Sequence, residues 1–565
     1  MTTITKANDT TSTAKAPWYE RFLVFLKRIN TKIEATDNRW LWAVLILYVV
    51  SIAIISAYHE PWFDEAQSWM IARDASYHDM IFYIPHYEGH PPLWWLYLSL
   101  FAKTGVPYEL GLKTAAILLN TVAMGILLFK APFPKIVRCV IPFTYFFFYQ
   151  YGVISRCYSL LMLGFILMAW FWKDMDEKPF KLVAAMCLTC GASAYGMILC
   201  GGIAVVWSGK LFKNFHDQKT SLKQIFKDRR IWALSLLLAA AILIMLSILP
   251  KPDTFAANLS PNNTLLFRLF YMFMIAPLDA TCFSSSVSPG FLTDLILPIS
   301  SIVGGILLFV IYCPALIYFG YRHKTLSWLF LPYFFFAIFS ANVYFHSHHI
   351  GIIALFLLFW FWISLNSETI ILKTHEQVNK SLDDVRHLFT LFSTLLLLCI
   401  GSYGLFWNIS ASCLDIHSNY DIARETAQYI KENNLEGLRI MSEWDSTSQK
   451  NGVTYENINH QITPRILAYF DHNIIYNFND GNDHLGYGQH RIPTQTEVNE
   501  SLEKWRSEGL PDVLIGNPKI EVIFGSDCTI EKNFTLVKTV RTGQIFKNLQ
   551  IQNDEPIIYL RKEKK

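Results

Sequence analysis

The chain has 565 residues, 52% of them hydrophobic and only 16% charged, where a soluble chain carries about 25% charged residues. Aromatics reach 15% and the formal net charge is +3. These figures exclude an ordinary soluble protein, and no basic stripe with interleaved aromatics argues for a nucleic-acid partner. They fit an α-helical polytopic membrane protein whose rings fill helix interfaces and interfacial belts.

Residues 1–16 (MTTITKANDTTSTAKA) are polar and without structure signals, so segment 1–39 is expected to be cytoplasmic and partly disordered. The first apolar run, Trp40 to Ala57, lacks an A-x-A-type cleavage site and reads as a retained signal anchor. Further runs long enough to cross roughly 30 Å of hydrocarbon lie at 109–129, 136–154, 157–172, 231–249, 293–319, 326–343, 350–366 and 387–407. Run 182–207 would make roughly 39 Å of helix, long for one span and short for two. Charge decides it. Lys173, Lys178 and Lys181 precede the run, and seven Lys and Arg follow it between 210 and 230, so both flanks read as cytoplasmic. Two short helices or a re-entrant hairpin must then meet near Ser193-Ala194-Tyr195-Gly196.

That choice gives about 11 transmembrane helices, the N-terminus inside and the C-terminus outside. The inside segments hold 25 Lys and Arg against five in the outside segments before residue 408. Residues 91–103 and the stretch from Leu265 to Leu278 are apolar but too short to span, and read as interfacial or re-entrant helices. Composition turns polar near Asn408. Residues 408–565 are expected to form a small α/β extracytoplasmic domain, with an amphipathic helix over 421–433 and strands at LRIMSE, NIIYNF, DVLIG and PIIYL. The transmembrane domain is thus expected over 40–407, with its first outer loop at 58–108.

Chemistry concentrates in that loop. Asp64 and Glu65 sit among Trp62, Phe63 and Trp69 and open a helical stretch, where free amides and the helix dipole favour carboxylates. Partial burial would make such a carboxylate a better base, and Arg73 could oppose this by pairing. His90, in EGHPPLWW, enters the next helix beside two prolines. Arg156, in ISRCYS, falls at the outer end of the third and fourth spans, either snorkelling or gripping an anion. Tyr344-Phe345-His346-Ser347-His348-His349 sits at the outer end of span nine. Adjacent side chains on a helix do not converge on a metal, so contact with a phosphate or sugar is the stronger reading. Of ten cysteines, Cys187 and Cys190 form a C-x-x-C in an apolar run with no second ligand pair in reach, and Cys413 and Cys528 could pair if the C-terminal region is outside.

At these residues the chain resembles the GT-C superfamily of integral-membrane glycosyltransferases, which includes protein O-mannosyltransferases, lipid A aminoarabinose transferases and family-39-like bacterial enzymes. The resemblance is carried by Asp64-Glu65 after the first span, Glu88-Gly89-His90-Pro91-Pro92, Ser155-Arg156-x-Tyr158 and His348-His349-x-Gly351. It covers roughly residues 40–370. It implies sugar transfer from a polyprenyl-phosphate carrier to a glycan, lipid or protein acceptor on the non-cytoplasmic face of the cell membrane. By the resemblance Asp64 is the general base and Glu65 its support. His90, Arg156, Tyr158, Tyr195, His348 and His349 line the substrate site. Many relatives carry Arg-His where this chain has His348-His349, and histidine is only partly charged near neutrality. No cofactor is called for, and a divalent cation is left open.

Two other classes compete. A transporter or flippase of lipid-linked glycans would place ionisable groups at mid-membrane and show repeats, whereas the spans here are almost free of acids. A membrane scaffold would leave the Asp64 neighbourhood incidental. The charge-based orientation makes a direct prediction: an Asp445→Cys variant is labelled in intact cells by a membrane-impermeant thiol reagent. Protection of that position would reverse the topology.

Overall fold

In the computed structural model, residues 31–254, 263–281, 299–367, 401–450, 453–460, 462–478, 493–546 and 549–562 are described, with a few positions before 31. The polar segment 1–16 and residues 387–400 of the run 387–407 lie outside them. The described chain is mainly helical, with a small sheet near its C-terminus.

Five helices among the described residues are long and apolar enough to cross a membrane: Arg39–Tyr58, Tyr108–Lys130, Ala194–Asp217, Arg229–Ile248 and the stretch Ser347–Leu365. Shorter apolar helices, Leu93–Ala102, Pro179–Ala192 and Leu326–Asn342, pack among them. A helix apolar on all sides is either central or lipid-facing, and both kinds occur. Ile350–Leu365 is buried nearly throughout, whereas Arg229–Ile248 buries only Ala233 and Leu237 and exposes Trp232, Leu236, Leu238 and Leu243.

The run 182–207 is broken where charge required it. Ser193 is extended (φ −162°, ψ 143°), and its hydroxyl accepts from the Tyr195 amide. The second arm, Ala194–Asp217, is a full-length helix and not a short one. Segment 136–154, expected as one span, is not one helix. It comprises Lys135–Val140, a 3₁₀ turn at Ile141–Phe143 containing Pro142, and a π-helical stretch at Phe146–Val153. Proline removes a backbone donor and crowds the preceding turn, and wide π turns recur at functional sites.

Close helix approach depends on small residues. A Cβ on Gly202 would sit 2.4 Å from Cα of Pro332, so glycine lets Ala194–Asp217 lie directly against Leu326–Asn342.

The helix containing residues 401–417 runs uninterrupted past position 407 and carries the chain into the C-terminal unit. There β1 (Ile440–Ser442), β4 (Val513–Ile515), β5 (Phe534–Phe546) and β6 (Leu549–Arg561) form a sheet in the order β1-β4-β6-β5, parallel between β1 and β4 and antiparallel elsewhere. A second, antiparallel pair joins β2 (Asp445–Lys450) and β3 (Val453–Asn459). The amphipathic helix is present as Ala423–Glu432, and LRIMSE, DVLIG and PIIYL contribute to β1, β4 and β6. NIIYNF is not a strand. It makes only an isolated bridge from Ile475 to Ile440, because Asn473 turns the chain by accepting from the Ile475 amide.

Polar contacts fasten this unit to the helices. Arg424 grips Glu109 through two bonds, Nε to Oε1 at 2.8 Å and Nη2 to Oε2 at 2.6 Å, and also donates to the His59 carbonyl. Tyr469 donates to the same Glu109 oxygen as Arg424 Nε. Helix Ile462–Leu467 packs against helix Phe63–Asp74.

Replacing Gly202 with Val is expected to cost about 1–3 kcal/mol through overpacking against the Pro332 backbone. The check is a thermal melt of the purified protein in detergent. An unchanged midpoint would mean the two helices separate freely.

Candidate functional site

The sequence motifs converge at one end of the helices. Helix Arg39–Tyr58 ends at an extended stretch, His59 to Trp62, after which helix Phe63–Asp74 begins. Asp64 and Glu65 occupy its first turn, where the helix dipole favours negative charge. They point to different places. Asp64 lies 2.7 Å from Arg156 Nη1 as an ion pair, with its side chain 24% exposed and that of Arg156 8%. Glu65 is fully buried.

Arg156 stands between the π-helical stretch and helix Tyr158–Phe171. Its guanidinium lies over two rings, 5.6 Å from the centroid of Trp62 and 5.2 Å from that of Tyr158. Burial works against the charge, but the Asp64 carboxylate outweighs it and holds the Arg156 pKa above its ordinary value.

The histidine cluster forms the facing wall. Ser347–His349 is a 3₁₀ turn opening helix Ile350–Leu365. His348 and His349 are buried, with ring centroids 4.1 Å apart. His348 lies near Trp62 (6.3 Å) and Tyr158 (6.2 Å), and His349 near Tyr158 (6.2 Å) and Tyr195 (4.5 Å). The glycine of the His348-His349-x-Gly351 motif has a steric reason. A Cβ there would meet the Tyr151 and Phe146 rings at 2.6 Å, and Tyr151 uses that closeness to donate to the His348 carbonyl at 2.8 Å. His349 Nδ1 accepts from the His346 amide, which fixes the turn. Burial pushes the His346 imidazole down to about 4, so it is neutral.

Three buried polar atoms around Arg156 have no hydrogen-bond partner among the described residues: Trp62 Nε1, Tyr158 OH and His348 Nδ1. Orphaned polar atoms of this kind are costly unless a ligand or water satisfies them. All three belong to residues grouped around the Asp64–Arg156 pair.

The remaining expectations sort as follows. Tyr195 is at the pocket wall, but its hydroxyl is committed to the Tyr344 carbonyl, so its contribution is its ring. His90 is partly exposed and within electrostatic range of His348 and His349. Arg73, expected to oppose Asp64, binds Asp74 and the Phe470 carbonyl. Glu65, expected beside Asp64 in catalysis, exposes no surface to a substrate and braces the site from behind. Its Oε2 accepts from the Trp62 amide (3.2 Å) and its Oε1 from the Ser155 amide (2.6 Å). Among the described residues no three His, Cys, Asp or Glu side chains form a metal-ligand set. Cys187, Cys190, Cys413 and Cys528 are free thiols.

Sequence reasoning missed His59 and Asp415. His59 is buried, its Nε2 3.1 Å from Glu65 Oε2 and its Nδ1 2.9 Å from Asp415 Oδ2. Tyr149 of the π-helical stretch donates to the other Asp415 oxygen at 2.9 Å. Burial disfavours charge on the ring, but Asp415 and Glu65 together raise its pKa to about 9. Glu60 next to it is buried and accepts from the Asp421 and Arg424 amides. Burial, with Asp421 adding to it, pushes its carboxyl up to about 8.

Fold and site together describe a multi-helix membrane protein in which a mostly buried Asp64–Arg156 ion pair is flanked by the Trp62 and Tyr158 rings, with a small α/β unit fastened to the helices nearby. The chain matches no family model and no curated protein. Among solved structures it is similar to ArnT from Cupriavidus metallidurans bound to undecaprenyl phosphate, at 12% identity and a TM-score of 0.46, over 93% of this chain and 98% of that one. A likeness at that level assigns no activity to this chain.

The buried pair His59 and Glu60 gives stability a definite pH dependence. A folded pKa raised to about 9 means that His59 contributes fully below about 6.5, and that the contribution fades as pH rises to 9. Glu60, raised from 4.5 to about 8, loses its contribution across that interval. Thermal stability in detergent is therefore expected to fall between pH 6.5 and 9, with roughly 3 kcal/mol attached to His59. His59→Gln is expected to melt lower at pH 6 and to flatten the slope. A wild-type melt independent of pH over this window would contradict the assignment.

Proposed function

We propose that the chain is a glycosyltransferase that moves a sugar from a polyprenyl-phosphate carrier to an acceptor at the outer face of the cell membrane, with Asp64 as general base. One observation carries the reading. A carboxylate with exposed surface lies against a buried guanidinium, and the buried atoms Trp62 Nε1, Tyr158 OH and His348 Nδ1 around that guanidinium await an anionic partner.

The chemistry follows from that arrangement. A phosphodiester entering the pocket competes with Asp64 for Arg156, whose fork suits phosphate oxygens. Trp62 Nε1–H and Tyr158 O–H donate to the same group, and His348 does so in its Nδ1–H tautomer. Once the phosphate holds the guanidinium, Asp64 loses its counter-ion and its carboxylate is free to face the acceptor hydroxyl. The acceptor hydroxyl then attacks the anomeric carbon. The new carbon–oxygen bond forms as the bond to the phosphate oxygen breaks, and the hydroxyl proton passes to Asp64. The polyprenyl phosphate leaves with its electron pair, stabilised where Arg156 already stands. His90, near the histidine wall, is suited to the outer part of the donor. Sidedness rests on the charge asymmetry of the loops, which puts this end of the helices outside.

Asp64→Asn is expected to lower transfer from a polyprenyl-phosphate sugar by about 100-fold or more, the usual scale for loss of a general base, while donor binding is kept. Turnover of purified variant and wild type on the same donor provides the measurement. Equal rates would remove Asp64 as base, and no turnover by wild type across donors and acceptors would favour a transport or scaffold role.

A further inference from the structure

We infer that His59 is a positioning residue of the transfer site, acting as a buried imidazolium that holds the Asp64–Arg156 pair in register through Glu65. The inference rests on the proposed transfer reaction and adds to it a control point that lies behind the pocket.

The geometry is specific. Glu65 spans the two backbone segments that carry the ion pair: its Oε2 takes the amide of Trp62, two residues before Asp64, and its Oε1 takes the amide of Ser155, immediately before Arg156. A shift of Glu65 therefore moves both halves of the pair relative to each other. Glu65 is itself held by His59 Nε2, and His59 by Asp415 on the helix leading into the C-terminal unit. Both ring nitrogens face carboxylate oxygens, at 3.1 and 2.9 Å. A neutral imidazole has only one N–H and can donate to only one of them; the doubly protonated ring donates to both. Two protons are therefore shared among the three groups, and the charged ring is the form that donates to both carboxylates.

The surroundings support that charge state. From helix Phe63–Asp74 the ring faces Glu65, and from the helix of residues 401–417 it faces Asp415. The π-helical stretch presents Tyr149, with a ring centroid 6.2 Å away, and Tyr420 packs at 4.6 Å. From helix Tyr108–Lys130 the Lys113 ammonium, and from helix Ala423–Glu432 the Arg424 guanidinium, reach the His59 carbonyl and not its ring. Both of those cations are matched by Glu109. Glu60 is adjacent in the chain and turned to the Asp421 and Arg424 amides. The two carboxylates closest to the ring outweigh its burial and hold its proton up to about pH 9.

The test compares full-length wild type, His59→Gln and Asp415→Asn in detergent, reading kcat and donor KM from pH 6 to 10 together with hydrogen exchange of the Ser155 amide. Wild-type kcat is expected to fall as pH rises through about 9. In His59→Gln, kcat at pH 7 is expected to drop about 10-fold or more, as misplacement of reacting groups does, with donor KM within about 3-fold and no alkaline limb near 9. Asp415→Asn, which keeps the side-chain shape, should move the limb to lower pH and serves if His59→Gln is poorly folded. Ser155 exchange should quicken in both variants. Unchanged kcat and unchanged pH profile in well-folded variants would overturn the inference, as would unchanged Ser155 exchange. A wild type inert on every donor would overturn the transfer reading, and the exchange measurement would then still decide whether His59 holds the segment.

Discussion

The structure depends on one buried charge, the His59 imidazolium between Glu65 and Asp415. Two buried carboxylates on opposite sides of one imidazole would repel, and the desolvation of each would cost several kcal/mol. A proton shared out through the ring relieves both problems by giving each carboxylate a charged donor. Each carboxylate has further donors: Tyr149 donates to Asp415, and the Trp62 and Ser155 amides to Glu65. A buried ionic cluster is tolerable only when its members are satisfied in this way. Removing one member leaves the others charged and stranded, at a cost on the order of 3–5 kcal/mol.

That cluster organises its neighbours by reaching into four segments that are far apart in sequence. It joins the end of helix Arg39–Tyr58, the first turn of helix Phe63–Asp74, the loop at Ser155 and the helix of residues 401–417. The next layer repeats the theme: Glu60 takes the amides at the start of helix Ala423–Glu432, and Arg424 of that helix returns to Glu109 and the His59 carbonyl. The α/β unit is therefore fastened at the back of the pocket. Asp64 keeps its partial exposure.

How much of this was legible in the sequence follows from the range of each interaction. Hydropathy and charge are local properties, so the long apolar helices and the break at Ser193 could be read directly. The motifs around Asp64, Arg156, Tyr158 and His348 were visible because each is a dense local departure from an apolar background. The π-helical stretch was not, since FFFYQYGV has the apolar character of an ordinary span. β2, β3 and β5 were missed because DSTSQK, VTYENIN and FTLVKTVRTGQIF carry many polar residues and little continuous apolar signal. His59 and Asp415 were invisible for a different reason. They are 356 positions apart, and neither sits in a local pattern that singles it out. Glu65 was noticed by its neighbourhood, but its direction was not legible, because adjacency to Asp64 says nothing about which way a side chain turns in the first turn of a helix.

The opposed directions of Asp64 and Glu65 bear on how the pocket can work. Successive residues on a helix point about 100° apart, so one carboxylate can meet the pocket only if the other turns into the protein. Glu65 is satisfied by a proton-rich partner and two amides, and is thereby fixed. Asp64 has a single strong partner, Arg156, in a contact that a phosphate can contest. A base that stays paired is a weak base, and one that is never paired is poorly placed before substrate arrives. In the proposed reaction the Asp64–Arg156 ion pair meets both demands, since Arg156 would hold Asp64 in place until an anion relieved it. The neutral His346 and the uncharged Trp62 and Tyr158 donors matter for this balance. Under the proposed transfer reaction, more fixed cations there would bind a departing phosphate too firmly to release it, and fewer donors would leave Asp64 in possession of the arginine.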